Sequence, residues 1–198
     1  SLFFCFPAFF ALIIGFEHII LSLFGYGSFN EIAVHNSAKA LYFFAIGLPA
    51  FSLIKIFSTF FFANHDTKTP FYISLLSVIL NIIISIYYFK EIGFIIIPIA
   101  TSISSWFNGI LLFIFLRKNN LFKFNNIFIL RFIKIIIASS FMGIFFNYLL
   151  IYFQNQLSFD QSIKSFYLIL SVLLGLLFYL LISYWIKAFK TGDFKLKY

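Results

Sequence analysis

The stretch 40–89 reads ALYFFAIGLPAFSLIKIFSTFFFANHDTKTPFYISLLSVILNIIISIYYF, and it consists of two long apolar runs on either side of a short polar segment. A helix needs roughly 20 mostly apolar residues to cross the hydrocarbon core of a bilayer, and both runs are long enough. The polar segment ends in Thr69-Pro70, which predicts Thr69 as the N-cap of the second helix and Pro70 in its first turn. This stretch therefore predicts two membrane-spanning helices joined by a tight polar loop.

The rest of the chain repeats this pattern. Hydrophobic residues make up 63% of the 198 residues and charged residues only 10%, whereas a soluble domain is roughly 45–50% apolar. The mean hydropathy is +1.05. We predict an all-α integral membrane protein with six transmembrane helices, at about 2–24, 40–63, 71–89, 93–116, 132–153 and 166–186.

Basic residues are distributed unevenly between the connecting segments. Ten of the 14 lysines and arginines lie in or beside 64–70, 117–131 and the C-terminal tail, namely Lys68, Arg117, Lys118, Lys123, Arg131, Lys134, Lys187, Lys190, Lys195 and Lys197. The other connections carry three, namely Lys39, Lys90 and Lys164. Cytoplasmic loops of membrane proteins are enriched in lysine and arginine. The first set and the C-terminus are therefore predicted to be cytoplasmic, and 25–38 and 154–165 to lie on the outer side.

The composition also excludes several function classes. The three histidines are scattered, and the sequence contains neither an HExxH motif nor a nucleophile motif. Its one cysteine, Cys5, excludes an internal disulfide and a CxxC metal site. The net charge of +8 is explained by cytoplasmic loops, because no soluble basic domain remains outside the helices. We expect no enzyme activity, no catalytic residue, no required cofactor and no nucleic-acid partner.

A lysine lies inside the second predicted helix. Lys55 shares one helical face with Ser52, Ser58 and Thr59. A lysine at the centre of a spanning helix costs roughly 2.5–3.5 kcal/mol on insertion scales. One interpretation is a cation that faces a cavity and meets an anionic substrate. The other is a side chain that extends along the helix to the cytoplasmic interface.

Two further predicted helices carry stripes of small and polar residues. On the third helix the stripe contains Ser74, Ser77, Asn81 and Ser85. On the fourth helix it contains Thr101, Ser104, Ser105 and Asn108. Small polar residues let membrane helices approach closely, so packing alone explains the serines. The two asparagines suggest more, because an amide in hydrocarbon needs a hydrogen-bond partner.

Several motifs resemble the MurJ/MviN family of lipid II flippases. The family pattern is matched by LFGYGSFN at 23–30, by Gly47-Leu48, and by FFANHDTKTP at 61–70, which contains the loop residues Asp66, Thr69 and Pro70. Phe62 and Phe44 replace tyrosines of the family pattern. The similarity is specific through about residue 118, and beyond that point it depends on the helix count and the basic tail.

The resemblance implies a multidrug/oligosaccharidyl-lipid/polysaccharide exporter-type fold, with two six-helix lobes around a cavity and two additional helices. The six helices predicted here would be the last six of that fold. Residues 1–118 would then contain four helices of the second lobe, and 119–198 the two additional helices and the basic tail. The first lobe and the family's cavity arginines would belong to a longer protein from which this sequence is cut.

The resemblance also implies a function. The family moves an undecaprenyl-pyrophosphate-linked peptidoglycan precursor across the bacterial inner membrane by alternating access. Lys55, Ser52, Thr59 and Asn108 are the candidates for contact with this substrate, lipid II, and membrane lipids would surround the helices. A related oligosaccharide-lipid or multidrug exporter is one alternative, and a membrane scaffold that transports nothing is another.

Some family members have a sodium site, and the matching positions here are Asn81, Ser85, Ile97 and Thr101. Ser85 stands where the family pattern has an acidic residue. A monovalent cation is bound more tightly where a carboxylate supplies negative charge. We therefore expect sodium binding to be weak or absent.

Overall fold

A computed structural model describes residues 1–27, 29–119 and 126–188, with residues 126 and 127 described by their backbone alone. This part of the chain contains six α-helices and no strand. They are α1 (Leu2–Phe24), α2 (Glu31–Ala63), α3 (Lys68–Ile92), α4 (Ile96–Lys118), α5 (Asn126–Tyr152) and α6 (Lys164–Trp185). The prediction of an all-α membrane fold is confirmed. Lys123 and the tail from residue 189 onward lie outside the described residues, so their predicted cytoplasmic position stays a prediction.

Five apolar stretches in the described residues are long enough to cross a membrane, and one of them, Lys68–Lys118, contains both α3 and α4. Its 51 residues would extend about 76 Å as one helix, more than twice the hydrocarbon thickness of about 30 Å. A short 3-10 turn at Gly93–Ile95 separates the two helices, and Gly93 has a positive φ of 73°. The side chains of Asn81 and Thr101 meet near the turn and those of Ser74 and Asn108 farther from it, as in an antiparallel hairpin. The hairpin favours six crossings, and that count stays a prediction.

The second helix is longer than predicted. It begins at Glu31 instead of about residue 40, because Asn30 caps it by accepting a hydrogen bond from the backbone N–H of Ala33 at 2.9 Å. Its 33 residues extend about 50 Å. Hydropathy detects only the apolar part of such a helix, so the loop predicted at 25–38 was too long. The connection between α1 and α2 is limited to 25–30.

The helices pack into two compact units. The first, named the α1–α5–α6 unit, contains residues 2–38 and the described residues from 126 onward. Its core includes Met142, Phe146, Leu168 and Tyr179. The helices approach closely at Gly15, where a Cβ atom would lie 2.8 Å from the ring of Phe146. Glycines at helix contacts are typical of membrane proteins.

The second unit, named the α2–α4 unit, contains the described residues of 39–119. One end is an apolar core of Phe57, Phe61, Ile73, Leu112 and Leu116. Farther along, α4 is fastened to α2 by hydrogen bonds from side chains to backbone. Ser102 Oγ donates to the carbonyl of Phe43 at 2.5 Å, and Trp106 Nε1 donates to that of Ile46 at 3.0 Å. The predicted division into 1–118 and 119–198 concerns roles in a larger fold, and it stays a prediction.

Candidate functional site

A cleft of about 350 Å³ lies between α2, α3 and α4, and seven of the ten residues that line it are polar. The α2 side supplies the apolar residues Phe51 and Ile54. The other helices supply Ser74, Ser77, Val78, Asn81, Thr101, Ser104, Ser105 and Asn108. All but one of the stripe residues predicted from the sequence therefore line a single cleft, and the exception is Ser85.

Two amide side chains bridge α3 and α4 inside this cleft. Asn81 Nδ2 donates to Thr101 Oγ1 at 3.2 Å and to Ser104 Oγ at 3.3 Å. Asn108 Nδ2 donates to Ser74 Oγ at 3.4 Å. The stripes thus contribute to helix packing, and each asparagine has found a partner on the facing helix.

Asn108 differs from the other polar residues of the cleft. Its side chain is only 8% exposed, and its Oδ1 has no hydrogen-bond partner among the described residues. An unpaired polar atom that is shielded from water costs free energy, about 1–3 kcal/mol for a neutral group. Asn108 is therefore a cleft residue that retains unused hydrogen-bonding capacity.

The other three substrate candidates are placed elsewhere. Lys55 and Thr59 are exposed and Ser52 is partly exposed, and none of the three lines the cleft. Thr59 Oγ1 donates to the backbone carbonyl of Lys55 at 2.8 Å, within α2 itself. The structure therefore does not bring Lys55 and Asn108 into one site, and their shared role as substrate contacts stays a prediction.

The sodium candidates form a neutral group at one end of the cleft. Thr101 Oγ1 donates to the carbonyl of Ile97 at 2.8 Å and accepts the hydrogen bond from Asn81. Ser85 Oγ is buried and has no partner in the described part of the chain. The set contains no carboxylate, and three of its polar groups already satisfy one another. These residues do not fit a site that binds a cation tightly. No cluster of three His, Cys, Asp or Glu suited to a metal occurs in residues 1–27, 29–119 and 126–188.

The family loop motif makes a compact helix-to-helix turn. At the end of α2, His65 has a positive φ of 59°, and the backbone N–H of Asp66 donates to the carbonyl of Phe61 at 3.0 Å. This is a Schellman-type helix end. The carboxylate of Asp66 then accepts a hydrogen bond from the backbone N–H of Thr69 at 3.0 Å. Asp66 thus satisfies a carbonyl at the end of α2 through its backbone and caps α3 through its carboxylate.

The predicted N-cap was therefore wrong. Thr69 lies inside the first turn of α3, which begins at Lys68, and Asp66 supplies the capping oxygen. Hydrogen bonds from the side chain and the backbone of Thr69 lower the pKa of Asp66 below its ordinary value, with smaller contributions from Lys68. Pro70 is buried in the same turn, where its missing N–H has no helical partner to lose.

Sequence analysis missed a buried cation in the α1–α5–α6 unit. Lys164 is 1% exposed, and its Nζ donates to the carbonyls of Gly25 at 2.5 Å and Phe159 at 2.7 Å. The ammonium also lies 4.1 Å from the centre of the Tyr26 ring, a favourable cation–π distance. In the sequence, Lys164 is one of the three basic residues in or beside the less basic connections. Its partners are a distant helix end and a loop carbonyl, so no local pattern could have revealed them.

A separate cleft of about 320 Å³ in the same unit contains a contact between a carboxylate and an imidazole. Glu17 Oε1 on α1 lies 3.4 Å from His35 Nδ1 on α2, and both side chains are about half exposed. An exposed pair of this kind contributes little stability. It connects α1 to the polar extension of α2 that the sequence analysis had treated as loop.

The chain is similar to one protein family and to several of its members. The family model described as "Lipid II flippase MurJ" matches residues 1–170. A probable lipid II flippase MurJ of Rickettsia prowazekii is 39% identical over 114 residues, which is 58% of this chain and 22% of that protein. The corresponding protein of Thermotoga maritima is 36% identical over 143 residues, which is 72% of this chain and 28% of that protein.

Longer alignments show how much of those proteins is represented. A probable lipid II flippase MurJ of Rhizobium tropici is 28% identical over 193 residues, 96% of this chain and 36% of that protein. A solved lipid II flippase MurJ in an inward closed conformation superposes with a TM-score of 0.73 at 27% identity. That superposition covers 94% of this chain and 36% of the solved one. The chain thus spans between about a fifth and a third of the length of these relatives.

Proposed function

Because the chain belongs to the MurJ family of lipid II flippases, we propose that it forms part of a transporter that moves lipid II across the bacterial inner membrane. The family match over residues 1–170 carries this proposal. The helices are long and apolar enough for a multi-pass membrane protein, and similarity in fold extends over 94% of the chain. The exporter and scaffold alternatives are not favoured, because each match described above is to a lipid II flippase. The proposed activity is transport without bond chemistry, with lipid II and membrane lipids as partners.

Lys55 is the residue we propose for contact with the pyrophosphate of the substrate. It lies eight residues before the end of α2 at Ala63, which is about 12 Å along the helix. An extended lysine side chain covers roughly half of that distance, so it cannot easily reach the cytoplasmic interface. Lys55 is an exposed residue of the α2–α4 unit, and its ammonium would meet a phosphate oxygen as a point charge. Ser52 and Thr59 lie on the same side of α2 as Lys55, and their hydroxyl groups would be available to the substrate beside the ammonium.

Growth complementation tests the function and the role of Lys55 together. The chain would replace the aligned part of the Rhizobium tropici relative, and the chimera would be expressed in cells depleted of their own lipid II flippase. We expect the unmodified chimera to restore growth, Lys55→Ala to fail while still inserting in the membrane, and Lys55→Arg to keep partial activity. Lys90→Ala, at the exposed end of α3, is the matched control and should grow normally. Normal growth of the Lys55→Ala chimera would refute the proposed contact of Lys55 with the substrate. Failure of the unmodified chimera to restore growth would count against the proposed transport of lipid II.

The orientation in the membrane is a further part of the proposal. The excess of basic residues supports a cytoplasmic position for the α2–α3 loop and for the C-terminus. In a variant with Cys5→Ser, a cysteine at Asn64 should resist an impermeant thiol reagent in intact cells, and one at Asp160 should react. Reaction of the cysteine at position 64 and not of the cysteine at position 160 would show that the orientation is the opposite of the one proposed.

We also propose that sodium binds weakly or not at all to Asn81, Ser85, Ile97 and Thr101. The absence of a carboxylate and the hydrogen bonds within this group support the proposal. Sodium chloride should therefore raise the unfolding temperature of the chimera no more than potassium chloride does, whereas Ser85→Asp should introduce a sodium-specific increase. A sodium-specific increase in the unmodified protein that disappears in Asn81→Ala would show the proposal to be wrong.

A further inference from the structure

We propose that Tyr179 on α6 is a latch on a proline break in α1. Its hydroxyl donates a hydrogen bond to the one backbone carbonyl that Pro7 deprives of a helical partner. While the bond is made, the first turns of α1 stay joined to the rest of the helix, and when it is released α1 opens at Pro7. This conformational device lies within the α1–α5–α6 unit and does not depend on which substrate is transported.

Pro7 interrupts the hydrogen bonding of α1. The helix extends over Leu2–Phe24 and contains this proline. In an α-helix each backbone N–H donates to the carbonyl four residues earlier, which for position 7 is the carbonyl of Phe3. Proline has no N–H, so this bond cannot form. An unpaired backbone group between packed helices costs about as much free energy as a lost hydrogen bond. The carbonyl of Phe3 therefore needs a donor from another element.

Tyr179 supplies that donor. Its hydroxyl donates to the carbonyl oxygen of Phe3 at 2.6 Å. Tyr179 is 2% exposed and belongs to the core of the unit, and its ring centre lies 5.0 Å from that of Phe3. A buried tyrosine usually finds a partner for its hydroxyl, and here the partner is the carbonyl that Pro7 leaves open. The bond from α6 thus replaces the bond that α1 cannot make for itself.

A contact at the other end of α1 follows the same rule without a proline. Ser165 Oγ on α6 donates to the carbonyl of Ser22 at 2.5 Å. Carbonyls in the last turn of a helix lack helical partners, and the N–H of Tyr26, which could have paired with Ser22, donates to Phe24 at 2.7 Å instead. Side chains of α6 therefore donate to α1 at carbonyls that the helix leaves open. The bond of Ser165 is the reference for the bond of Tyr179, because only the latter depends on Pro7.

A double-mutant cycle tests the latch in the chimera with the Rhizobium tropici relative. Tyr179→Phe removes the hydroxyl, and Pro7→Ala restores a backbone N–H that can pair with the carbonyl of Phe3. Tyr179→Phe should lower the unfolding temperature at least about twice as far with the proline present as in the Pro7→Ala background. The reason is that an acceptor left without any donor costs more than one that keeps a second donor. Ser165→Ala is the matched control and should lower the unfolding temperature equally in both backgrounds.

Hydrogen exchange distinguishes a latch from a contact that only adds stability. In Tyr179→Phe, backbone amides of residues 2–11 should exchange at least about threefold faster than in the unmodified chimera, while those of 12–24 change less, because opening is local to the break. The local increase should disappear when Pro7→Ala is added.

Two results would overturn the proposal. One is an equal effect of Tyr179→Phe on the unfolding temperature in both backgrounds, and the other is a uniform increase in exchange along α1. Either result would leave Tyr179 as a residue that contributes by packing alone. Both measurements are independent of whether the chimera transports lipid II.

Discussion

In the α1–α5–α6 unit a glycine meets an aromatic ring at a close helix contact, whereas in the α2–α4 unit amide side chains add hydrogen bonds between two helices to an apolar core. Gly15 admits the ring of Phe146 in the first unit, and Asn81 and Asn108 bridge two helices in the second. Each unit has a cleft, and the two clefts differ in their lining. That of the α1–α5–α6 unit lies at the contact of Glu17 with His35, away from the close packing at Gly15. That of the α2–α4 unit is lined by the hydroxyl and amide side chains that join α3 to α4.

The largest expected effect is at the buried charge of the α1–α5–α6 unit. Lys164→Met removes the ammonium that satisfies the carbonyls of Gly25 and Phe159. Hydrogen bonds to charged groups contribute more than neutral ones, so the free energy of unfolding should fall by about 3 kcal/mol. Thermal unfolding in detergent micelles measures this change. Lys90→Met, at an exposed lysine, should change stability by less than about 0.5 kcal/mol. Similar changes in the free energy of unfolding for the two variants would show that the hydrogen bonds of Lys164 do not stabilise the fold.

A matched pair of glycine substitutions tests the difference in packing. Gly15→Ala places a Cβ atom 2.8 Å from the buried ring of Phe146, and this overlap should cost about 2 kcal/mol. Gly109→Ala in the α2–α4 unit meets nothing closer than Ile54 at 3.8 Å. It should be neutral or stabilise by up to about 1 kcal/mol, because alanine favours helix more than glycine does. The same unfolding assay measures both variants. Equal changes in the free energy of unfolding would show that the two units do not differ in packing at these glycines.

A smaller gain is expected at the turn between α2 and α3. His65 adopts a left-handed backbone conformation that glycine adopts without strain. His65→Gly should raise the free energy of unfolding by about 1 kcal/mol. His65→Val should lower it, because a β-branched residue is poorly accommodated there. A loss of stability in the glycine variant would mean that the imidazole makes a contribution beyond its backbone conformation.

The smallest effect concerns pH at the same turn. The pKa of Asp66 is lowered by the hydrogen bonds from Thr69, so the folded state favours the ionised carboxylate. Its contribution is complete above the unfolded pKa of about 3.9 and is lost as the pH falls through the lower folded value. Unfolding curves of Asp66→Asn should therefore show a weaker loss of stability on acidification than those of the unmodified chain. Identical acid profiles would exclude a capping role for the ionised carboxylate.

Sequence patterns predicted the positions of the helices well and the contacts between their side chains poorly. The apolar runs located α1 and α3 within a few residues because crossing a bilayer is a local requirement of length and hydropathy. The same criterion missed the start of α2 at Glu31, which is polar and lies where hydropathy has no signal. The spacing of polar residues along α3 and along α4 indicated one stripe on each helix, and in the structure every stripe residue except Ser85 lines one cleft.

Three features of the candidate sites depended on tertiary geometry. The capping oxygen belongs to Asp66 and not to Thr69, because α3 begins at Lys68, two residues earlier than the proline suggested. Lys164 is buried by groups that come from other segments of the chain. Lys55 remains a candidate on chemical grounds, and it does not share the cleft with Asn108. Spacing along one helix cannot reveal such relations between helices.

Thiol reactivity at two matched serines tests most directly whether the units differ as described. Ser104 lines the cleft and Ser171 lies in the core of the α1–α5–α6 unit. Both are buried, and each donates a hydrogen bond to a carbonyl of its own helix. In the isolated chain with Cys5→Ser, Ser104→Cys should react with a small water-soluble thiol reagent at least about tenfold faster than Ser171→Cys, because a thiolate forms only where water has access. Equal rates at the two positions would contradict the account of one unit with an accessible polar cleft and one unit that is closely packed.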